Sequence, residues 1–169
     1  ILPQLNPGGT ERSACELANY LTDKKEVEVI LLLMYKSEIF FELNKSVKVI
    51  MPKGNIRRKL GRIAYIPYLL YFLHTNINKY KPAKILCLGY ILFSLVASLG
   101  IKNKVIISFR CNPYIKRFGN NKLLNLIYHF LHKLLSFRVD GLIAQTKEAK
   151  VFYSKRYNAP LVVIPNFLK

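Results

Sequence analysis

Short apolar runs alternate along the chain with segments whose apolar residues recur at helical spacing. In residues 10–21, for example, Ala14, Leu17, Ala18 and Leu21 fall on one helix face. Residues 27–34 are almost wholly apolar, which is typical of a parallel strand covered on both sides. The pattern predicts strands over residues 1–5, 27–34, 47–51, 84–88, 104–109, 142–144 and 161–164. It predicts helices over residues 10–21, 56–78, 91–99, 122–137 and 147–157.

This regular alternation of strand and helix determines the predicted fold class. Strands that alternate with helices form a parallel sheet with helices on both faces, so we expect a doubly wound α/β domain. The 169 residues are enough for one such domain with its own core. Within the helix predicted over 56–78, Pro67 predicts a kink or two helices end to end.

Positive charge is concentrated in the middle of the chain. The 27 Lys and Arg residues outnumber the 9 Asp and Glu residues, which gives a net charge of +18. Residues 43–139 contain 18 of the basic residues and no acidic residue, so the whole excess lies there. A field of one sign indicates an anionic partner, such as phospholipid head groups, diphosphates or nucleic acid.

Cysteines and apolar runs bear on the compartment. Cys15, Cys87 and Cys111 are widely spaced, form no Cys-x-x-Cys motif and are odd in number, which favours a reducing compartment. Residues 85–101 carry no charge, but this run is shorter than the roughly 20 residues of a spanning helix. We interpret it as a buried strand, a turn and a helix, and expect a cytoplasmic protein.

The turn after the first predicted strand is the first candidate site. Gly8 and Gly9 allow a ligand to approach the backbone closely, and the following helix offers free N–H groups to a phosphate. The candidate donor-phosphate residues here are Gly8, Gly9, Thr10 and Arg12. The alternative is an ordinary turn with Thr10 as N-cap. A dinucleotide site is not indicated, since Gly-x-Gly-x-x-Gly is absent.

A second candidate follows the strand predicted over 104–109, at the same edge of the sheet. Arg110 can bind a phosphate or carboxylate, and Asn112 can hydrogen-bond a sugar hydroxyl. The alternative is a solvated arginine in a loop that ends at Pro113. His129 and His132 would share a helix face, but no Asp, Glu or Cys accompanies them, so we predict no metal and no cofactor.

A basic cluster precedes the apolar, tyrosine-rich residues 63–73. Cations followed by an amphipathic aromatic helix suit a membrane interface, with the cations at the head groups. The alternative, a solvated basic face on a core helix, stays open. The candidate membrane-binding residues are Lys53, Arg57, Arg58, Lys59 and Arg62.

Four segments, in order along the chain, share a pattern with a known family. The first is Leu5-Asn6-Pro7-Gly8-Gly9-Thr10-Glu11-Arg12, followed by Glu16-Leu17-Ala18-Asn19-Tyr20-Leu21. The others are Ile107-Ser108-Phe109-Arg110-Cys111-Asn112-Pro113, Asp140-Gly141-Leu142-Ile143-Ala144-Gln145-Thr146 and Val163-Ile164-Pro165-Asn166. The set resembles the N-terminal domain of family 4 retaining glycosyltransferases, which have the GT-B fold. That family typically shows Gly-Gly-x-Glu-Arg, then Leu-Ala-x-x-Leu, and a Ser-x-Arg-x-x-Pro loop.

The resemblance implies a two-domain enzyme. Residues 1–169 would be its acceptor-binding, Rossmann-like half, and a nucleotide-sugar half would begin just after Lys169, so this half alone should be inactive. Gly8, Gly9 and Thr10 would reach toward the donor diphosphate, without a metal. Phe109 stands where relatives often have Glu, and Phe167 replaces a common Pro. The first departure puts an acidic acceptor-loop role in doubt, and the second touches only the interdomain linker.

The leading interpretation is therefore an enzyme at the inner face of the cell membrane. It would move a sugar from a nucleotide-sugar to a membrane-borne glycan or lipid-linked acceptor, with an anionic membrane surface and no nucleic acid as partner. The sequence does not identify its catalytic residues. Two alternatives from other classes are a basic nucleic-acid-binding α/β module and a non-catalytic membrane-docking domain. The charge and the interleaved aromatic residues fit the first, although no recognised DNA or RNA motif is present.

Overall fold

The computed structural model describes residues 1–24, 27–110, 112–115 and 117–165. Its helices are α1 (Gly9–Asp23), α2 (Ile56–Tyr80), α3 (Ile91–Ala97), α4 (Lys122–Leu134) and α5 (Lys147–Ser154), with a short 3-10 turn at Ser136–Arg138. Its strands are β1 (Ile30–Leu32), β2 (Lys48–Ile50), β3 (Lys84–Cys87), β4 (Lys104–Phe109), β5 (Gly141–Ala144) and β6 (Leu161–Val163). Cys111, Asn166 and Phe167, which the sequence analysis used, lie outside the described residues.

All strand pairs are parallel, as the alternation of strand and helix predicts. Strand β1 pairs with β2, and the other four strands form a sheet in the order β3-β4-β5-β6. The prediction of an α/β fold with parallel strands is confirmed. The strand predicted over residues 1–5 is reduced to a single bridge between Leu2 and Leu33.

Residues 1–3 connect the two sheets. The Leu2 N–H donates to the Leu32 carbonyl at 3.2 Å, and the Met34 N–H donates to the Leu2 carbonyl at 3.1 Å. On the other side, the Leu88 N–H donates to the Ile1 carbonyl at 2.9 Å. The hydrogen-bonded order is therefore β2, β1, residues 1–3, β3, β4, β5, β6.

Apolar residues cover both faces of the sheet at β3, because successive side chains of a strand point to opposite faces. Ile85 and Cys87 belong to a core cluster that also contains residues of α2, α3 and α5. Leu88 and, less deeply, Leu86 belong to a second cluster with α1. Helix α2 contributes one stripe at helical spacing to the first cluster, made of Tyr65, Leu69, Leu73 and Ile77.

Helix α2 is interrupted near its start rather than at its proline. Gly61 has φ 76° and ψ 174°, a combination that other residues resist, and it separates a short basic turn from the part that packs on the core. The kink predicted at Pro67 is therefore misplaced. The uncharged residues 85–101 form most of β3, a turn and α3, as predicted. No helix of the described residues is both long and apolar enough to cross a bilayer.

Arg138 fastens the chain after α3 to the start of β5. Its Nε donates to the Ser98 carbonyl at 3.2 Å, and its Nη2 donates to the Ile101 carbonyl at 3.1 Å and to the Asn103 side chain. Its Nη1 lies 3.4 Å from Asp140 Oδ2, which also accepts the Val105 N–H at 2.8 Å. One guanidinium therefore joins α3, β4 and β5 at the edge opposite the candidate site.

Candidate functional site

The loops that follow the parallel strands meet at one edge of the sheets, the carboxyl edge. In doubly wound sheets this is where ligands bind. Residues 6–8 follow the connecting segment, and residues 110–115 follow β4. The sequence-based expectation that the Gly8–Gly9 turn and the Arg110 loop share an edge is confirmed.

The Gly8–Gly9 turn leads directly into α1. The helix begins at Gly9, and its N-cap Gly8 has an extended backbone with φ 178° and makes no side-chain cap. Thr10 therefore lies inside the first turn, and the alternative that it caps the helix is wrong. A Cβ on Gly9 would meet nothing within 4 Å, whereas a Cβ on Gly8 would collide with the Glu11 carboxylate. The Gly9 backbone is thus open to a ligand, at the positive end of the helix dipole.

Arg12 does not reach this turn in the structure. Its Nε lies 2.9 Å from Glu16 Oε1, one helical turn further along α1, and both side chains are about half exposed. The guanidinium is therefore directed along the helix, away from Gly8 and Gly9.

A cleft of about 540 Å³ lies beside the turn and is lined by Asn6, Pro7, Glu38, Ile39 and Phe40. The Leu5 N–H donates to Ser37 Oγ at 2.9 Å, and Ser37 Oγ donates to Asn6 Oδ1 at 2.8 Å. These bonds hold the loop after β1 against the turn. The volume is within the usual range for small-molecule sites. The Asn6 amide and the Glu38 carboxylate can hydrogen-bond hydroxyl groups there.

Arg110 and Asn112 line a second cleft, of about 290 Å³, between the β4 loop and the start of α5. Burial lowers the pKa of Arg110, and the Asn112 side chain accepts the Tyr114 N–H at 3.0 Å. Thr146 closes the other side and caps α5, since its Oγ1 accepts the Ala149 N–H at 3.1 Å. The Phe109 ring stacks on Tyr153, with ring centroids 3.5 Å apart, so Phe109 serves packing.

The two clefts share no lining residue. Between the segment that carries Gly8 and Gly9 and the strand that carries Arg110 lies β3, and two steps between strands amount to about 10 Å. The predicted donor-phosphate set is therefore distributed over two places on one edge. Gly8, Gly9 and Thr10 lie at the first, and Arg110 and Asn112 lie at the second.

Two tyrosines that the sequence analysis did not single out, Tyr35 after β1 and Tyr90 after β3, pair at this edge. Their ring centroids are 6.1 Å apart and edge to face. The Arg57 guanidinium lies 4.3 Å from the Tyr35 ring, and the Arg117 guanidinium lies 4.6 Å from the Tyr90 ring. Stacked arginines keep N–H donors available for an anion. The sequence offered one clue, an aromatic residue just after each of two strands.

Arg57 belongs to the predicted membrane-binding set, and the other four residues of that set are exposed on the surface. Within the described ranges, no ion pair involves them, because the ion pairs found there are Arg12–Glu16 and Arg138–Asp140. Arg57 is the exception to a purely solvated role, since it stacks on Tyr35. Exposed in the same region are Lys53, Arg58, Lys59 and Arg62.

His129 and His132 differ in environment. His129 is exposed, whereas His132 is largely buried, with Nδ1 2.6 Å from the Tyr157 hydroxyl and Nε2 without a hydrogen-bond partner in the described structure. Burial, aided by the positive charges of His129 and Arg117, lowers the pKa of His132 to about 4. His132 is therefore a neutral packing residue.

We expect acid to destabilise the protein through His132. Below its ordinary pKa of 6.5 the unfolded chain binds a proton that the folded chain refuses until about pH 4. The free energy of unfolding should therefore be unaffected by His132 above pH 6.5 and should fall by about 3 kcal/mol as the pH drops from 6.5 to about 4. Urea unfolding at several pH values measures the effect. His132→Gln should flatten the profile, the exposed control His129→Gln should retain it, and an unchanged profile in His132→Gln would contradict the assignment.

Comparison with protein-family models and with curated proteins gave no match to this chain.

Proposed function

We propose that the chain is the acceptor-binding half of a retaining glycosyltransferase with the GT-B fold. The enzyme would move a sugar from a nucleotide-sugar to a membrane-borne glycan or lipid-linked acceptor. The observation that carries the proposal is the Gly8–Gly9 turn, which opens α1 with an unobstructed backbone beside a cleft at the carboxyl edge. The order β2, β1, residues 1–3, β3, with both faces covered at β3, supports a doubly wound, Rossmann-like domain.

The proposed reaction needs little acid–base or nucleophilic chemistry from the side chains of this half. A nucleotide diphosphate leaves with negative charge, and preorganised N–H dipoles and cations stabilise that charge in the transition state. Gly9 and the start of α1 would supply the dipoles, and Thr10 follows in the same turn. Arg110 and Asn112 would hold the acceptor in the second cleft, so that its nucleophilic hydroxyl meets the donor sugar at a fixed distance.

The acceptor's place in a membrane accounts for the charge of the chain. Lys53, Arg58, Lys59 and Arg62 are exposed, and no acidic residue lies between residues 43 and 139. Each basic side chain near an anionic surface contributes about 1 kcal/mol before screening. With Arg57, these residues would hold the protein peripherally on the inner membrane face.

The 169-residue chain should bind nucleotide-sugars weakly and transfer no sugar. The sugar-nucleotide pocket belongs to the other half in the proposed enzyme, so we expect a Kd weaker than about 0.1 mM. Calorimetric titration with a panel of nucleotide-sugars measures it. Micromolar affinity for any of them would contradict the division into two halves.

A second titration tests the acceptor role directly. A short-chain, water-soluble polyprenyl diphosphate sugar should bind about tenfold more tightly than any nucleotide-sugar, because the diphosphate meets the arginines of this half. Arg110→Gln should weaken this binding, whereas the matched control Arg12→Gln should not, since Arg12 points along α1. Tighter binding of single-stranded or duplex nucleic acid than of the acceptor would instead support a nucleic-acid module.

A further inference from the structure

Helix α4 turns its apolar side away from the protein. Leu126 is 67% exposed and Phe130 is 63% exposed, while the side that faces the protein carries Asn125, Tyr128 and His132. In a surface helix of a globular protein the apolar stripe normally faces the core. Here the polarity is inverted. We define the α4 apolar face as Leu123, Leu126, Ile127, Phe130, Leu134 and the adjoining Phe137, all of them exposed.

Hydrogen bonds hold the helix in this orientation. The buried Asn125 side chain donates to the Gly119 carbonyl at 3.1 Å and to the Asn121 carbonyl at 2.8 Å, and it accepts the Phe118 N–H at 3.1 Å. At the next turns, His132 meets the Tyr157 hydroxyl. Rolling α4 to bury its apolar face would break the bonds of Asn125 to the preceding loop and the His132–Tyr157 bond, and would leave buried polar groups unsatisfied.

The flank of the α4 apolar face is basic. Lys122 and Lys133 are exposed on its flank, and the acid-free stretch of residues 43–139 contains the whole helix. From Leu123 to Leu134 the face extends for about 17 Å at 1.5 Å per residue. It contains no polar side chain, whereas protein interfaces carry about one hydrogen bond per 100–200 Å². A fluid apolar partner beneath an anionic surface fits both features.

We propose that α4 lies in the plane of an anionic phospholipid bilayer and inserts its apolar face among the acyl chains. This deepens the proposed function, on which it rests, by assigning membrane contact to a helix that the sequence analysis did not select for that role. Helices of this kind insert to about 5–10 Å, and cations on their flanks bind the head groups.

The position of α4 relates membrane contact to the binding of a lipid-linked acceptor at the carboxyl edge. The Phe118 ring lies 5.8 Å from the Tyr128 ring of α4, edge to face, and the neighbouring Arg117 stacks on Tyr90 at that edge. Because Tyr128 is on the protein-facing side of α4, a bilayer on the opposite, apolar face would lie about one helix diameter, 10–12 Å, from this contact. An acceptor whose lipid stays in that bilayer would present its diphosphate near this end of the carboxyl edge.

The absence of tryptophan from the chain permits a direct test. Phe130→Trp places the chain's single tryptophan on the α4 apolar face, and Tyr20→Trp places it on exposed α1 as the matched control; excitation at about 295 nm selects tryptophan over tyrosine. Both proteins are mixed with vesicles of equal parts phosphatidylglycerol and phosphatidylcholine, with or without bromine on the acyl chains. We expect a blue shift and bromine quenching for Trp at position 130 and neither for Trp at position 20. An unshifted emission at position 130 would overturn the proposal.

Removing the face gives the second measurement. The triple variant Leu126→Gln, Phe130→Gln and Leu134→Gln should lower vesicle partitioning at least about tenfold, because partitioning scales with the apolar area inserted. Circular dichroism and the melting temperature should stay unchanged, since all three side chains are exposed. Undiminished vesicle binding in the triple variant would overturn the proposal, as would a vesicle-independent shift that grows with protein concentration and indicates a second copy. The soluble acceptor titration uses no bilayer, so its outcome separates failure of the proposed function from failure of this docking surface.

Discussion

If the chain belongs to the proposed two-domain glycosyltransferase, replacing Gly9 by Val is expected to abolish its sugar transfer, a loss of at least about a hundredfold, without unfolding the chain. A branched side chain at this position would stand between the diphosphate and the backbone N–H groups of the first turn. The fold should tolerate it, because a Cβ on Gly9 meets nothing within 4 Å and the residue lies in α1. Incorporation of labelled sugar into acceptor lipid measures the first effect, and the melting temperature of the chain measures the second.

Two further variants test whether the loss in Gly9→Val is a steric effect at this position. Gly9→Ala should fall between the wild type and Gly9→Val, because its side chain obstructs less of the backbone. Tyr20→Val, at an exposed position of the same helix, should transfer sugar at the normal rate. If Gly9→Val folds and turns over at a near-native rate, the Gly8–Gly9 turn is only a connection between the first segment and α1.

Replacing Arg138 by Met is expected to lower the free energy of unfolding by about 3 kcal/mol. Only 13% of the Arg138 side chain is exposed, and its loss leaves the carbonyls of Ser98 and Ile101 and the Asp140 carboxylate without this donor. Removing one partner from such a buried network costs much more than an exposed ion pair is worth.

Urea denaturation measures the loss, with Arg12→Met as the matched control. Arg12 also forms an ion pair, with Glu16, but in an exposed position, so its replacement should cost no more than about 0.5 kcal/mol. The loss of stability in Arg138→Lys should be intermediate, because a single ammonium group cannot donate to all of these separated acceptors at once. Equal losses in Arg138→Met and Arg12→Met would show that the buried network contributes little.

The sequence predicts the order and type of the elements well, because local periodicity determines them. The strand predicted over residues 104–109 coincides with β4, because a short apolar run between Lys104 and the Arg110 loop favours a buried strand. The sequence predicts the position of a helix interruption less well, because this depends on the backbone conformation of one residue. Proline is in general the stronger helix breaker, yet α2 is interrupted at Gly61 and not at Pro67. The φ of 76° at Gly61 is incompatible with a continuous α-helix.

The candidate site is harder to predict, because its contacts join distant parts of the chain. Nothing local in the sequence indicates that Arg57 stacks on Tyr35 or that Arg117 stacks on Tyr90. The direction in which a helix faces is equally non-local. The apolar spacing within 122–137 predicts an amphipathic helix, but periodicity does not tell which side meets the protein. In the structure, the exposure of Leu126 and Phe130 and the bonds of Asn125 and His132 show that the polar side does.

The connecting role of residues 1–3 has a consequence for the kinetics of folding. This segment pairs with β1 about thirty residues away, and with β3 across 85 residues, where the Ile1 nitrogen donates to the Leu86 carbonyl. Contacts of such long sequence separation carry a large loop-closure entropy and slow the folding of a chain. The β1–β2 pair and the four-stranded sheet can each form before residues 1–3 are in place. We therefore expect hydrogen exchange at Leu2 and Leu88 to become protected later during refolding than exchange in β4 and β5.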